Sequence, residues 1–130
     1  MMKKRVGRQL LGGKFTREPI ELLSGVFYIS LLSVYEAILC EKESRKLLER
    51  LIADGADQRI SKSVAENAVL TSLCLYDEKD KLVFKDGFNA LSILTPEELL
   101  KVANKYAELQ KNFLTFDKLT PSVVRNLKKN

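Results

Sequence analysis

The stretch of sequence that decides the fold reads Leu94-Thr95-Pro96-Glu97-Glu98-Leu99-Leu100. Thr95 is a preferred N-cap residue, and Pro96 suits the first helical position, where no backbone N–H is needed. The two glutamates that follow place negative charge at the positive end of the helix dipole. These signals predict a helix that begins at about residue 96.

The residues after this helix start form one apolar face. Apolar side chains recur there at spacings of three and four, which is the period of an amphipathic helix packed against a core. A second apolar run precedes it in the chain. We therefore predict a structural core that includes Leu73, Leu99, Ala103, Tyr106 and Leu109.

The length of 130 residues is enough for one domain whose core needs no disulfide or metal. Hydrophobic residues make up 45% and charged residues 30%, which is typical of a globular protein rather than a disordered chain. We expect a basic N-terminal arm over residues 1–15, a helical domain over residues 16–116 and a short C-terminal helix or tail over residues 117–130.

The expected fold class is mainly α, a compact bundle of four to five helices with a short extended or turn insertion near residues 77–88. Start signals at Thr16, Glu18 and Pro19 predict a first helix along the apolar run that reaches Leu39. A charged continuation reaches Ile52, and the sequence leaves open whether the two form one helix or two. Asp54-Gly55 then predicts a helix stop.

Further helices are predicted on both sides of the insertion. Ser63-Val64-Ala65-Glu66 has capping-box spacing and predicts a helix from about Ser63 to Tyr76. Leu82-Val83-Phe84 predicts a short strand and turn or an irregular apolar segment. Leu119-Thr120-Pro121 repeats the Leu-Thr-Pro start and predicts a C-terminal helix through Leu127.

The predicted first helix has more apolar side chains than a single buried face can hold. Few polar residues interrupt the run between residues 20 and 40. We therefore expect it to be covered on several sides or by another subunit. Phe27 and Leu31 are the candidate partner-binding residues, and a homo-oligomer is the expected assembly.

The net charge of +5 is concentrated at the two ends of the chain. Residues 1–17 carry six basic side chains and no acid, and residues 125–130 carry three more basic side chains, which leaves a net charge of −4 between them. A DNA-binding domain would instead spread basic residues over a folded face. The basic arm is a candidate docking segment for an acidic partner, through Arg5, Arg8 and Lys14.

No catalytic, metal-binding or cofactor-binding set is expected. The sequence has no histidine, so the commonest general base and metal ligand is missing. Cys40 and Cys74 lie singly in apolar runs, which predicts buried, reduced thiols and a cytoplasmic protein. We expect a protein that is not an enzyme.

Export and membrane insertion are not expected either. The basic start of the chain is followed by Arg8, Gln9 and Lys14 rather than by the apolar centre of a signal peptide. The longest uncharged run, Leu22 to Tyr35, has 14 residues, fewer than the roughly 20 that span a bilayer.

A series of motifs between residues 61 and 113 carries a family resemblance. They are Asn67-Ala68-Val69-Leu70, Leu73-Cys74-Leu75-Tyr76-Asp77-Glu78, Val83-Phe84-Lys85-Asp86-Gly87, and Leu94-Thr95-Pro96-Glu97-Glu98-Leu99 with Ala103 and Tyr106. The series resembles the tail assembly chaperones of long-tailed bacteriophages and prophages, in which a polar turn and an apolar-aromatic patch precede a helix opening L-T-x-E-E. A weaker similarity lies upstream, where Val6-Gly7-Arg8 leads into residues 15–23.

The resemblance implies a non-catalytic chaperone that coats the phage tape-measure protein before the tail tube assembles around it. The expected partners are the tape-measure protein and the tail-tube protein, in the cytoplasm of a bacterial host. The alternative is a helical nucleic-acid-associated regulator or adaptor that uses the basic arm. Nucleic acid is the less expected partner, because no recognition helix stands out and no aromatic residues interleave with the basic ones.

Overall fold

The structure, a computed structural model, describes residues 17–114, with side chains for residues 17–112. Four helices dominate this part of the chain, and three short strands form one antiparallel sheet of order β1-β2-β3. The mainly α prediction is confirmed at this level. The elements are β1 (Glu18–Leu22), β2 (Gly25–Ile29), α1 (Val34–Ala53), α2 (Gln58–Cys74), β3 (Leu75–Tyr76), α3 (Gly87–Ile93) and α4 (Pro96–Leu114).

Helix α4 begins where the cap signals predict. The Thr95 hydroxyl accepts from the Glu98 N–H at 3.1 Å, and the Glu98 carboxylate accepts from the Thr95 N–H at 3.0 Å. This reciprocal pair is a capping box, and Pro96 occupies the first helical position. The prediction of a helix from residue 96 is confirmed.

The predicted helix between Thr16 and Leu39 is wrong, because residues 18–29 form a β-hairpin. Ile20 and Leu22 point into the core while Pro19 and Glu21 are exposed, which is the two-residue period of a strand. Gly25 closes the turn with φ of +142°, a conformation that L side chains rarely adopt. Only the residues from Val34 onward are helical.

The residues from Val34 to Ala53 form a single helix, α1. Residues close to each end determine where this helix begins and where it stops. Ser33 and Glu36 form a capping box at the start. The predicted stop is confirmed, because α1 ends at Ala53 and Gly55 follows with φ of +97°. The second helix begins earlier than the predicted Ser63: the Asp57 side chain accepts from the Arg59 N–H at 2.8 Å and caps α2 at Gln58.

The predicted extended insertion near residues 77–88 is present, with its bounds shifted slightly to residues 75–86. Strand β3 precedes residue 77, and Tyr76 forms an isolated bridge with Leu82. The Asp77 carboxylate accepts from the Lys79 and Lys81 N–H groups and holds the turn between them. Gly87 and Phe88, expected in the insertion, belong to α3.

Two apolar clusters form the core. The first joins the inner face of the sheet to α4, and the second joins α1, α2 and the start of α4. Leu94 packs against both clusters, so the α3–α4 junction connects the sheet side of the domain to the helical side. The buried members are Ile20, Leu22, Ile29, Cys74, Leu75, Phe84, Ala90 and Val102 in the first cluster, and Leu47, Ala65, Ala68, Val69 and Leu99 in the second.

Two predicted segments lie outside the described residues. They are the basic arm over residues 1–15 and the C-terminal helix that begins near Leu119. Both stay predictions from the sequence.

Candidate functional site

An apolar groove lies between the turn of the β-hairpin and the junction of α3 with α4. Its volume is about 410 Å³. Sheet residues form one wall and the end of α3 forms the other, so the groove is a product of the tertiary fold. We call it the hairpin groove; its apolar lining includes Leu22, Leu23, Phe27, Val83, Ile93 and Leu94.

Two large apolar side chains at the rim of the hairpin groove face solvent. Leu23, in the hairpin turn, is 81% exposed, and Ile93, at the end of α3, is 62% exposed. Single exposed apolar residues are ordinary on protein surfaces, but two of them beside one apolar groove form a surface that a partner can cover.

Glu98 fixes the geometry of the groove. Its side chain is buried, and its carboxylate accepts from the backbone N–H of Leu23 at 2.9 Å and from that of Thr95 at 3.0 Å. These hydrogen bonds, with the Thr95 bond as the larger effect, lower the pKa of Glu98 although its burial opposes the shift. One carboxylate thus caps α4 and also holds the hairpin turn.

The outer edge of β1 is closed to strand addition. Pro19 lacks an N–H, so it cannot form a hydrogen-bonded pair with Tyr28, and its backbone faces the outer edge of β1. Because hydrogen-bonded and non-hydrogen-bonded pairs alternate along an antiparallel ladder, the backbone groups of Glu21 also face the outer edge. The Lys101 ammonium donates to the Glu21 carbonyl on that edge. A partner that docks by extending the sheet at β1 is therefore disfavoured, and side-chain contacts with the groove are favoured.

A second exposed apolar surface lies on α1. Val34 is 80% exposed, and Tyr35 and Ile38 are also exposed on the first two turns of the helix. It shares no residue with the hairpin groove.

A third surface feature is a notch of about 380 Å³ between α1, α2 and the start of α3. The Arg50 guanidinium lies 3.6 Å from the centre of the Phe88 ring, which is a cation–π contact. The lining of the notch carries both signs of charge, from Lys46, Arg50 and Lys85 and from Glu43 and Asp86. The notch therefore favours no single sign of charge in a ligand.

Arg17 is the one basic residue of the first 17 that the structure describes. Its guanidinium lies 2.6 Å from the Asp80 carboxylate and between the rings of Tyr28 and Tyr76, at 5.6 and 5.9 Å from their centres. This side chain is engaged within the domain, so its charge is not free for a phosphate.

The predicted partner-binding residues differ in where they lie and in how exposed they are. Arg5, Arg8 and Lys14 lie outside the described residues. Phe27 is half-buried and lines the hairpin groove, whereas Leu31 is buried and offers no surface in this structure. Both were expected on one helix covered on several sides or by another subunit. Phe27 instead lies in β2, and Leu31 lies between β2 and α1.

The predicted core residues lie in or beside the two clusters. Leu99 is buried, and Leu73 packs against the second cluster while Tyr106 and Leu109 pack against the first. Ala103 is half-buried. The Tyr106 hydroxyl accepts from the Leu32 N–H at 3.1 Å, and burial raises its pKa.

The two thiols are shielded from solvent to different degrees. Cys74 is fully buried, and burial raises the pKa of the half-buried Cys40. Within residues 17–114, no group of three or more potential ligand side chains is placed to hold a metal ion. No helix in the same range is both long enough and apolar enough to cross a membrane.

Comparisons of the chain with protein-family models, with curated proteins and with solved structures give no match.

The hairpin groove was not predicted from the sequence, although the sequence contains a signal for the β-hairpin that forms one of its walls. Ile20 and Leu22 alternate with Pro19 and Glu21, and a Ser-Gly pair follows. This is a hairpin pattern, which the high apolar content of the run obscured. No local pattern brings Leu23 beside Ile93.

Proposed function

We propose that this chain is a tail assembly chaperone of a long-tailed phage or prophage, which binds the tape-measure protein and helps the tail tube to assemble, without catalysis. The proposal includes the tail-tube protein as a second partner, a homo-oligomeric state and the cytoplasm of the bacterial host as the place of action. It extends the resemblance carried by residues 61–113.

The observation that supports this function best is the hairpin groove with its exposed rim. A chaperone for a long unassembled protein needs apolar surface that covers apolar side chains of the client until assembly. Leu23 and Ile93 supply such surface on a groove whose walls are held in place by Glu98. The groove is short, so it suits a few anchor side chains of an amphipathic helix rather than a large flat interface.

Part of the resemblance lies at the groove itself. The L-T-x-E-E motif supplies Leu94, which lines the groove, and Glu98, which ties α4 to the hairpin turn. Val83 comes from the preceding apolar-aromatic motif and also lines the groove. The motifs are thus near the surface proposed to bind the client, although their caps and turns also have local structural roles.

Co-expression with the tape-measure protein tests this function. A tail-chaperone gene should lie just upstream of a very long tape-measure gene, and the product of that gene is the probe. We expect the wild-type chain to raise the soluble fraction of the tape-measure protein and to co-purify with it. The double variant Leu23→Ser, Ile93→Ser should lose at least about tenfold in affinity, because it removes two large apolar contacts.

The matched control is Ile60→Ser, which changes an exposed apolar residue on the first turn of α2, outside the hairpin groove. This variant should bind the tape-measure protein as the wild type does. A wild-type chain that leaves the tape-measure protein insoluble and unbound would refute the function. Equal binding by all the variants would refute the groove as its site.

The segregated charge supports a second candidate, a nucleic-acid-associated regulator or adaptor. Of the six basic side chains in residues 1–17, five lie before Arg17, whose own charge is paired with Asp80. Binding through this arm would weaken steeply with salt, because each phosphate contact releases counterions. Tight, salt-sensitive binding of a DNA duplex that disappears when residues 1–14 are removed would favour this candidate over the chaperone.

A further inference from the structure

We propose that two copies of this chain associate through α1, with the two helices packed antiparallel around a two-fold axis near Glu43. The inference rests on a stripe of six side chains along the helix. The positions follow one another at spacings of four, three, four, three and four, which is the a/d pattern of a coiled coil. We call this the α1 stripe: Val34, Ile38, Glu41, Arg45, Leu48 and Ile52.

Five of the six side chains in the α1 stripe are exposed, and the sixth, Leu48, also packs against the second core cluster. Val34, Ile38 and Ile52 are exposed apolar residues at its two ends. The Glu41 and Arg45 side chains at its centre are 76% and 72% exposed. Leu48 is half-buried, and together with the two charged residues it lines a groove of about 510 Å³ between α1 and α2. The partner helix would lie along the outer wall of this groove.

The order of residues in the α1 stripe is self-complementary when read in opposite directions. In the antiparallel arrangement, Val34 of one copy faces Ile52 of the other, and Ile38 faces Leu48. Glu41 then faces Arg45, and the two-fold axis repeats each pair. Apolar residues thus meet apolar residues at both ends, and opposite charges meet at the centre.

Charge selects this arrangement over the others. A parallel pair would set Glu41 against Glu41 and Arg45 against Arg45, and a shift by one turn would set a charged residue against an apolar one. Like charges in contact oppose association, and a polar layer in an apolar seam fixes orientation and register. A second copy of this chain is therefore the occupant that the stripe fits.

The association is expected to be weak and to depend on concentration. A helix of 20 residues is about 30 Å long, so the contact is short. The charged central layer fixes the register at a cost in stability. Sedimentation over a wide range of protein concentrations is the suitable measurement, since a single dilute sample would contain mostly monomer.

Charge reversal at the centre provides the test. Glu41→Arg leaves two arginines in each stripe, and Arg45→Glu leaves two glutamates. Each variant alone should dimerise at least about tenfold more weakly than the wild type, because both central contacts become repulsive. An equimolar mixture of the two should recover a dimer, since the arginine introduced in one copy then faces the glutamate introduced in the other. The double variant should dimerise with itself.

The matched control is Lys46→Glu. It reverses a charge on the same helix and removes an intrahelical pair, Lys46 with Glu43 at 3.6 Å, just as Glu41→Arg removes the pair with Arg45 at 4.0 Å. Lys46 lies off the α1 stripe, so this variant should associate as the wild type does. Recovery in the mixture shows at the same time that both single variants are folded.

Three outcomes would overturn the inference. They are a wild-type chain that stays monomeric at all concentrations, a wild-type assembly that both single variants leave unchanged, and single variants that lose association but do not recover it when mixed. The inference does not rest on the proposed function. A monomer that still binds the tape-measure protein would overturn this inference and the homo-oligomeric state included in the proposed function, and would leave the client-binding role standing.

Discussion

At the scale of single residues, Gly87 shows how the absence of a side chain sets a distance between helices. A Cβ atom at this position would lie 2.6 Å from Cγ2 of Val69 and 3.1 Å from Cδ2 of Leu47. Both contacts are shorter than ordinary packing allows, so the glycine lets the start of α3 lie against α2.

We therefore expect Gly87→Ala to lower the free energy of unfolding by about 1–3 kcal/mol, the usual cost of overpacking. Urea denaturation measures the change. Val69→Ala should also destabilise the protein by leaving a cavity, but the double variant should lose less than the two single changes added together, because the smaller side chain makes room for the new methyl group. If the double variant lost as much free energy of unfolding as the two single variants together, the clash at Gly87→Ala would have to be relieved in another way.

Tyr106 combines burial with a hydrogen bond, and two substitutions separate these contributions. Tyr106→Phe removes only the acceptor of the Leu32 N–H and should lower the free energy of unfolding by about 1 kcal/mol. Tyr106→Ala also removes the ring that packs against the first cluster, and should cost about 2–4 kcal/mol. An unchanged melting temperature in Tyr106→Ala would place this face of α4 outside the core.

At the scale of elements, two helix boundaries were correctly predicted from local signals. The start of α4 depends on Thr95 and Glu98, which are three positions apart, and the end of α1 depends on Gly55. The hairpin was missed because a short apolar run has no period that separates a strand from a buried helix. The predicted start of α2 at Ser63 is wrong because Asp57 caps the helix instead, and the Ser63 capping-box pattern lies inside the helix.

The link between α4 and the hairpin predicts how stability depends on pH. The pKa of Glu98 is lowered in the folded protein from an ordinary value near 4.5, so the unfolded chain binds this proton more tightly. Its contribution to stability is therefore fully present above pH 4.5. It is lost as the pH falls through the lower, folded pKa.

Glu98→Gln should lower the free energy of unfolding at neutral pH by about 1–2 kcal/mol, because an amide cannot accept from the Leu23 and Thr95 N–H groups with both of its atoms. In this variant, the free energy of unfolding should also fall less steeply as the pH decreases below 4.5. Thermal unfolding between pH 3 and pH 7 gives both readings. Glu97→Gln, an exposed neighbour on the same turn, is the control, and an equal effect in this variant would argue against the link.

At the scale of the whole molecule, the hairpin groove could not be read from the sequence. The sequence marked Phe27 and Leu31 as apolar excess, and the fold buries one of them and places the other in the wall of a groove. The groove joins residues from the first and last thirds of the described chain, so only the packing of the sheet against the α3–α4 junction creates it. The α1 stripe, in contrast, is periodic along one helix and could have been recognised.

The hairpin groove and the α1 stripe have no residue in common, which predicts that their effects are separable. Leu23→Ser with Ile93→Ser should leave the sedimentation behaviour of the protein unchanged, and Glu41→Arg should leave the affinity of one chain for the tape-measure protein unchanged. Both measurements on the same two variants check this. Loss of both properties in either variant would show that association and client binding use one surface.

The hydrogen bond from Leu23 to Glu98 joins residues 75 positions apart in the chain. The Leu23 amide lies in an exposed turn, where exchange with deuterium would ordinarily be fast, yet its proton is held by the first turn of α4. Its exchange rate therefore reports the opening of a distant helix rather than local fraying. A client seated in the groove would slow the same amide, so a single backbone proton records both the integrity of the domain and the occupancy of its surface.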